Sequence, residues 1–297
     1  MVDFHTHSST SDGDLPPDVL IEEAVKQGLC ALALTDHDTV QGLEIAKNAA
    51  KQHKNKTDFK FIPGIEVNIN WGGNKSVRGA PGLGPGGEFH LLGLGINSPT
   101  PAFLAAVGEL GRRREARNRE ILDRMHELSI DAAWEDILAM SKSGNTIGRP
   151  HFAAYLIKQK IVKNTEQAFS RYLGAGKPLY VPKEGLDFEQ AVALIRESGG
   201  IPVLAHPISL YVAWGHLPDL VKILKDMGLK GLEAWHPTAK AGSCRRLEAL
   251  AQTLGLYITE GSDFHGAIRP ERRLGYSNKG RKIEDSVLTA IPELAMQ

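Results

Sequence analysis

Histidines and carboxylates gather in five stretches of this chain. They are His5-Thr6-His7 with Asp12; Asp36-His37-Asp38; Glu66; His90; and His206 with Asp263 and His265. His5 and His7 are two residues apart, and along a strand such a pair points to one side. Asp263 and His265 repeat that spacing. The candidate ligands are the imidazoles of His5, His7, His37, His90, His206 and His265 and the carboxylates of Asp12, Glu66 and Asp263. That set is too large for one ion and suits two or three divalent ions with open positions left for water. Lacking thiolates, it fits Mn, Fe or Zn better than Ca or Mg. A lone histidine is more often a satisfied core or surface residue than a ligand. What argues against chance is the recurrence. His53, His126 and His216 are accordingly left as ordinary, and His236 is a weaker candidate because it follows a strand ending at Trp235.

Such side chains need a scaffold that brings them to one face. In parallel α/β folds the carboxyl ends of the strands do this. Residues 2–5, 30–35, 59–69, 88–96, 201–205, 230–235 and 256–260 read as strands. The run 30–35 is apolar throughout, as a strand buried on both faces should be. Helical patterns fall at 16–27, 40–53, 187–198, 217–227 and 243–254; the first is opened by Pro16 and Pro17 and stopped by Gly28. The alternation predicts a parallel sheet, open or closed into a barrel. Two segments break the rhythm. Residues 71–87 hold seven glycines and two prolines and read as a loop. Residues 98–186 show helices at about 101–128, 133–141, 150–159 and 165–173 and no strand, which predicts a small helical domain inserted into the α/β domain.

The long inserted helix carries a second clue. Val107, Leu110, Ile121, Met125 and Leu128 share one face, and Arg114, Arg117 and Asn118 fall in the middle of it. Unpaired guanidiniums buried there are costly, so an anion should meet them. It is either an acidic neighbour in an internal salt bridge or a substrate phosphate, for which guanidinium is well suited. Gly148-Arg149-Pro150-His151 favours the phosphate: Pro150 fits the first position of a helix, whose free amides would face an anion beside Arg149. Arg114, Arg117, Arg149 and His151 are the candidate phosphate-binding residues, with Lys177 a weaker one. Gly174-Ala175-Gly176-Lys177 lacks P-loop spacing, so ATP is not expected there.

Composition narrows the classes. Lys plus Arg equals Asp plus Glu at 35 each, unlike the basic chains that bind long nucleic acid. No run approaches the roughly 20 apolar residues of a membrane span. Met1-Val2-Asp3-Phe4-His5 lacks a basic region followed by an apolar one, so no signal peptide is expected. Cys30 and Cys244 suggest no disulfide framework, and a cytoplasmic protein is the expectation.

His5-Thr6-His7-Ser8 with Asp12, Thr35-Asp36-His37-Asp38, Gly64-Ile65-Glu66-Val67, His90 on its strand, Ala205-His206-Pro207 and Ser262-Asp263-Phe264-His265 together resemble the PHP (polymerase and histidinol phosphatase) superfamily, over nearly the whole chain. The insertion is similar to that of the subgroup holding the 3′,5′-nucleoside bisphosphate phosphatases and a 5′-3′ RNA exonuclease. The resemblance implies a distorted seven-stranded (β/α) barrel over residues 1–97 and 187–297, a substrate-binding all-α domain over 98–186, and a trinuclear, often manganese, site. It implies that His5, His7, Glu66 and Asp263 hold the first ion. Asp12, His37 and His265 would hold the second, and Glu66 again, with His90 and His206, the third. Asp263, His265, His37 and Glu66 would then act in catalysis through the ions. The loop at 71–87 departs from the family by its length and glycine content.

The expected reaction is attack of metal-bound hydroxide on a phosphate monoester. The foremost substrate is the 3′-phosphate of a 3′,5′-nucleoside bisphosphate such as 3′-phosphoadenosine 5′-phosphate, because two phosphates on one sugar match two anion pockets. Three alternatives stand. An exonuclease on short 5′-phosphorylated RNA needs the same pocket plus a path for the chain. A histidinol-phosphate phosphatase does not need the arginines. A non-catalytic metal-binding module releases no phosphate.

Overall fold

The computed structural model describes residues 1–53, 58–70, 87–141 and 147–296. The expected loop at 71–87 therefore lies outside the described residues, apart from Gly87. The strands are β1 (Val2–Thr6), β2 (Ala31–Leu34), β3 (Lys60–Asn70), β4 (His90–Leu94), β5 (Leu186–Asp187), β6 (Ile201–Leu204), β7 (Gly231–Trp235) and β8 (Tyr257–Glu260). Seven of them form one sheet in the order β1-β2-β3-β4-β6-β7-β8, and β5 pairs with β3 off that path. Thr6 bridges Phe264, just beyond β8, so the sheet nearly closes into a barrel.

β1, β2 and β3 run parallel, as do β6, β7 and β8. β4 is antiparallel to both β3 and β6, which corrects the expectation of an all-parallel sheet. Parallel neighbours need a crossover of a dozen or more residues, usually a helix. The Gly- and Pro-rich sequence between β3 and β4 carries no helical pattern, and the chain leaving β4 enters the insertion instead of a crossover. The reversal serves the site: His90 is the first residue of β4, and it comes out beside residues that follow the ends of parallel strands.

Val2, Phe4, Ala33, Ile62, Leu92 and Val203 form one apolar cluster, joined by Ile283, Ile291 and Leu294 of the C-terminal segment. Outside the sheet, α1 (Pro17–Lys26) and α2 (Leu43–His53) bury Leu20, Ile21, Ala46 and Ala50 against Leu32 and Leu34 of β2. Full burial of each Leu or Ile contributes roughly 1.5–3 kcal/mol.

The insertion begins with α3 (Pro101–Glu127), opened by Thr100, whose hydroxyl accepts from the Phe103 amide at 3.2 Å. The early turns of α3 bury Phe103, Val107 and Leu110 in a cluster shared with β3 and β4. Its late turns bury Ile121, Leu122 and Met125 in a separate cluster with Ile137, Phe152, Leu156 and Leu173. Those partners come from α4 (Trp134–Leu138), α5 (Arg149–Lys158) and the segment of α6 (Thr165–Ala168), which passes into a wider π-helical turn at Phe169–Leu173. The helix expected at 133–141 is thus shorter, and that at 165–173 is divided. β5 begins at Leu186, the last residue of the segment expected to hold no strand, and pairs with Ile69 and Asn70. Asp187 then caps α7 (Phe188–Glu197) by accepting from the amides of Glu189 and Gln190. α7, α8 (Leu217–Asp226) and α9 (Ala241–Leu254) complete the outer layer. Among the described residues, no helix is long and apolar enough to cross a membrane.

Candidate metal centre

His5 lies on β1, and His7 follows its end, with the His7 amide bonded to the Phe264 carbonyl at 2.9 Å. The loop carrying Asp12 is fastened by the buried Asp36. Its carboxylate accepts from the Ser8 amide (2.8 Å), the Ser8 hydroxyl (2.6 Å) and the Ser11 hydroxyl (2.5 Å). Asp38, His206 and Asp263 have positive φ of 51°, 27° and 49°. Asp263 and His265 therefore do not alternate along a strand as expected. β8 ends at Glu260, and a turn aims both side chains at the cluster. Such backbone conformations persist where their surroundings over-determine them, and they concentrate at binding and catalytic sites.

Glu66 is the hub. Its Oε2 lies 3.4 Å from His5 Nε2, 3.4 Å from His7 Nε2 and 2.8 Å from His37 Nδ1. Its Oε1 lies 2.9 Å from His90 Nδ1 and 2.8 Å from His206 Nε2. Asp263 Oδ1 is 3.6 Å from His5 Nε2 and 3.2 Å from His7 Nε2. Asp12 gathers a further group, 3.3 Å from His265 Nε2 and 3.8 Å from His37 Nε2. Ligand atoms come within 4.8 Å of one another in four overlapping groups: His7, Asp12, His37 and His265; His5, His236 and Asp263; His5, His7 and Glu66; and His37, Glu66 and His90.

These residues fit divalent ions. His5 Nε2, His7 Nε2 and Glu66 Oε2 are buried and lack hydrogen-bond partners, yet they converge. An unsatisfied buried polar atom costs about 1–3 kcal/mol, which a cation at their centre would relieve. The four histidine-to-carboxylate separations in the first group, 3.2–3.6 Å, match the edge of about 3.4 Å of a tetrahedron with metal–ligand bonds of about 2.1 Å. Electrostatics agree. Burial pushes the Glu66 carboxyl up, but His37, His90 and His5 overcome this and hold it well below the usual range. Burial, helped by His265, pushes His7 down to about 3, which leaves a neutral imidazole with a free lone pair. His37 is pulled up to about 9, because Glu66 and Asp12 outweigh its burial.

Sequence reasoning passed over several supporting residues. Glu233, buried on β7, holds His5 Nδ1 at 2.9 Å through Oε1 and accepts from the His206 amide at 2.6 Å through Oε2. One carboxylate therefore orients the His5 ring and anchors the His206 backbone, and such outer partners commonly fix ring orientation and tautomer of a ligand histidine such as His5. Its only signal was a glutamate inside the otherwise apolar strand Gly231–Trp235. His236 is placed beside the cluster. Its Nδ1 accepts from the Thr238 amide at 3.3 Å, so in the neutral ring Nε2 carries the proton and donates to Asp263 Oδ2 at 3.0 Å. Arg272 bonds the same Oδ2 and also donates to the Asp263 carbonyl at 2.9 Å, and nothing in the sequence marked it.

A cavity of about 550 Å³ opens onto the cluster. Its walls include Asp12, His37, Glu66, His90, His206, Asp263 and His265 together with Arg114, Arg117 and Arg149. They also include Glu88 and Lys183, which the sequence reading did not single out. The three arginines differ. Arg114 donates to Asp38 Oδ2 at 2.5 Å and to the His37 carbonyl at 3.0 Å, the internal salt bridge that was one of its two expected partners. Arg149 reaches Glu88 Oε1 at 3.1 Å. Arg117 has a buried Nε without a partner and makes no ion pair among the described residues. Burial, with Arg114 and Arg149 adding to it, lowers its pKa to about 10. Asn118 is buried and donates to the Ile147 carbonyl at 2.8 Å. His151 is not part of the cavity wall; its Nδ1 accepts from the Gly148 amide at 3.0 Å and caps α5. Lys177 is exposed and also outside the wall.

The model of the PHP domain matches residues 3–177, and the chain belongs to that family. It is 34% identical over 263 residues to a 5′-3′ exoribonuclease of Haemophilus influenzae, covering 89% of each chain. It is 30% identical over 276 residues to a 3′,5′-nucleoside bisphosphate phosphatase of Chromobacterium violaceum, covering 93% of this chain and 91% of that one. A solved amidohydrolase from Chromobacterium violaceum, with bound sulfate, superposes with a TM-score of 0.80 at 29% identity, covering 97% of this chain and 96% of the other. Family and site together define a phosphoric ester hydrolase whose His/Asp/Glu cluster binds divalent metal ions.

Proposed function

We propose that this enzyme removes one phosphate from a small nucleotide that carries two, foremost the 3′-phosphate of a 3′,5′-nucleoside bisphosphate. The observation that carries the proposal is Arg117: half-buried, with a buried Nε that no acceptor meets, in the wall of the cavity that holds the metal ligands. In this reading His5, His7, Glu66 and Asp263 hold one ion, Asp12, His37 and His265 a second, and Glu66, His90 and His206 a third, with Mn the preferred metal. When bound, the ions supply a nucleophile at neutral pH and offset charge on the phosphoryl group. The chain's own part is to hold the substrate. Arg117 takes the second phosphate, assisted by Arg149 and Lys183, whose present partner Glu88 lies at 3.1 and 3.5 Å. Arg114 steadies α3 through Asp38, and His151 supports the pocket from the start of α5. Residues 98–186 are the substrate-binding domain and 1–97 with 187–297 the barrel, a division supported by the insertion's own apolar cluster. The free thiols of Cys30 and Cys244 accord with a reducing cytoplasm.

The likeness to the Haemophilus influenzae exoribonuclease favours a second reading, 5′-3′ hydrolysis of short 5′-phosphorylated RNA. Phosphate release with Mn present separates the two, using 3′-phosphoadenosine 5′-phosphate, adenosine 5′-monophosphate, histidinol phosphate and a 5′-phosphorylated RNA trimer. Preferred release from the bisphosphate supports the proposal. Preferred shortening of the trimer replaces it with the exonuclease, and equal release from histidinol phosphate removes the need for a second phosphate.

A further inference from the structure

The turn that carries His206 ends in an aromatic ring standing in water. Pro207–Leu210 make a single 3₁₀ turn, and Tyr211 closes it at φ 52° and ψ 33°. Bulky side chains rarely adopt that left-handed region. Tyr211 is 80% exposed, and among the described residues every other Phe, Tyr and Trp is buried or half-buried. Strained backbone and an uncovered ring both cost free energy, yet the turn is firmly tied. Ser209 Oγ sits 2.6 Å from His206 Nδ1 and donates to the Glu88 carbonyl at 3.0 Å. The Gly87 amide donates to the Leu210 carbonyl at 3.1 Å, and a Cβ on Gly87 would collide with the ring at Cδ2. Glycine backbone therefore supports the ring on one side. Tyr211 and Ile208 line the same cavity as the metal ligands and Arg117.

We propose that the open face of Tyr211 is a stacking platform for the nucleobase, so that the cavity selects nucleotides over sugar phosphates while tolerating any base. This rests on the proposed reaction, which concerns the phosphates, and adds the base of the same substrate. Every base has a π face, and stacking on an aromatic side chain is insensitive to base identity.

Two paired comparisons test it on the Mn-loaded protein. The first is calorimetric affinity for adenosine 5′-monophosphate, uridine 5′-monophosphate and ribose 5-phosphate. The second is kcat/KM for 3′-phosphoadenosine 5′-phosphate against ribose 3,5-bisphosphate. Wild type, Tyr211→Ala and Tyr211→Phe are compared. Alanine should cut the preference for base-bearing over baseless ligands by about 5- to 150-fold, the range of one lost stack. The loss should appear in KM and Kd, be similar for the two bases, and be restored by phenylalanine. Equal losses on base-bearing and baseless ligands overturn the platform, as does a phenylalanine variant as poor as alanine. If wild type releases phosphate from neither bisphosphate, the proposed reaction fails, and the affinity comparison alone still decides the stacking.

Discussion

Replacing Arg117 with alanine separates a substrate clamp from a structural cation. Its Nε is buried without a partner, and burial lowers its pKa from the usual arginine range to about 10. That difference corresponds to at most about 3 kcal/mol by which folding disfavours the charged group at neutral pH. A base with a lowered folded pKa destabilises the fold wherever the unfolded chain keeps its proton, so deleting the group removes a penalty. Loss of the packed methylenes acts in the opposite direction. The melting temperature should therefore stay within about 2 °C of wild type, or rise. A charge-assisted contact to a bound phosphate contributes roughly 1.5–3 kcal/mol, or about ten- to a hundredfold in kcat/KM. That loss should fall on 3′-phosphoadenosine 5′-phosphate and largely spare a simple monoester. Steady-state kinetics on both substrates and a melting curve complete the assay. Equal losses on the two substrates with a melting point several degrees lower would refute the clamp and make Arg117 a structural residue.

Arg114→Ala should behave differently, because it leaves the half-buried Asp38 without its cation; a loss of about 1–3 kcal/mol in chemical denaturation is expected. An unchanged midpoint would show that the pair contributes nothing. Elemental analysis of the Mn-loaded protein should give two or three ions, and Glu66→Ala should lose more than one; an unchanged count would contradict a bridging Glu66. Glu233→Gln should weaken metal affinity about 10- to 100-fold while the fold is kept, and wild-type affinity would leave Glu233 with no orienting role. In the metal-free protein burial lowers the pKa of His5, His37, His206 and His265, but neighbouring carboxylates outweigh it and raise all four. The stability these protons confer is full below pH 6.5 and lost as pH rises, through about 9 for His37. Metal-free melting should decline over that window, and metal uptake should release protons, seen by calorimetry in buffers of different ionisation heat. Uptake without proton release would contradict this electrostatic picture.

Most candidate ligands were legible because they are polar residues at or near the end of an apolar run, where a chance histidine is conspicuous; Asp12, in the polar loop after His7, was legible only together with the His5-Thr6-His7 pattern. The direction of β4 was not, since His90-Leu91-Leu92-Gly93-Leu94 has the same burial pattern whichever way it runs. A helical wheel put Arg114 and Arg117 on one face but could not tell them apart. What distinguishes them is Asp38, 76 residues away in sequence and opposite only one of them in space. Arg272 and Glu233 escaped notice for the same reason, because their meaning lies in contacts across the barrel. The turn at Asp263 was hidden because a backbone at φ 49° leaves no trace in residue spacing.

α3 is one continuous rod with its two ends set in different foundations, Phe103 to Leu110 in the barrel's apolar cluster and Ile121 to Met125 in the insertion's. Arg114 and Arg117 stand on the free span between them. A helix advances about 1.5 Å and turns about 100° per residue, so the distance from the guanidiniums to the histidines is written as a residue count. One residue added between Leu110 and Arg114 would swing both arginines around the axis and break the tie to Asp38, while every candidate ligand kept its place. Under the proposed reaction the rod would work as a gauge: the length and phase of one helix would fix how far apart the charged groups of an accepted molecule can be.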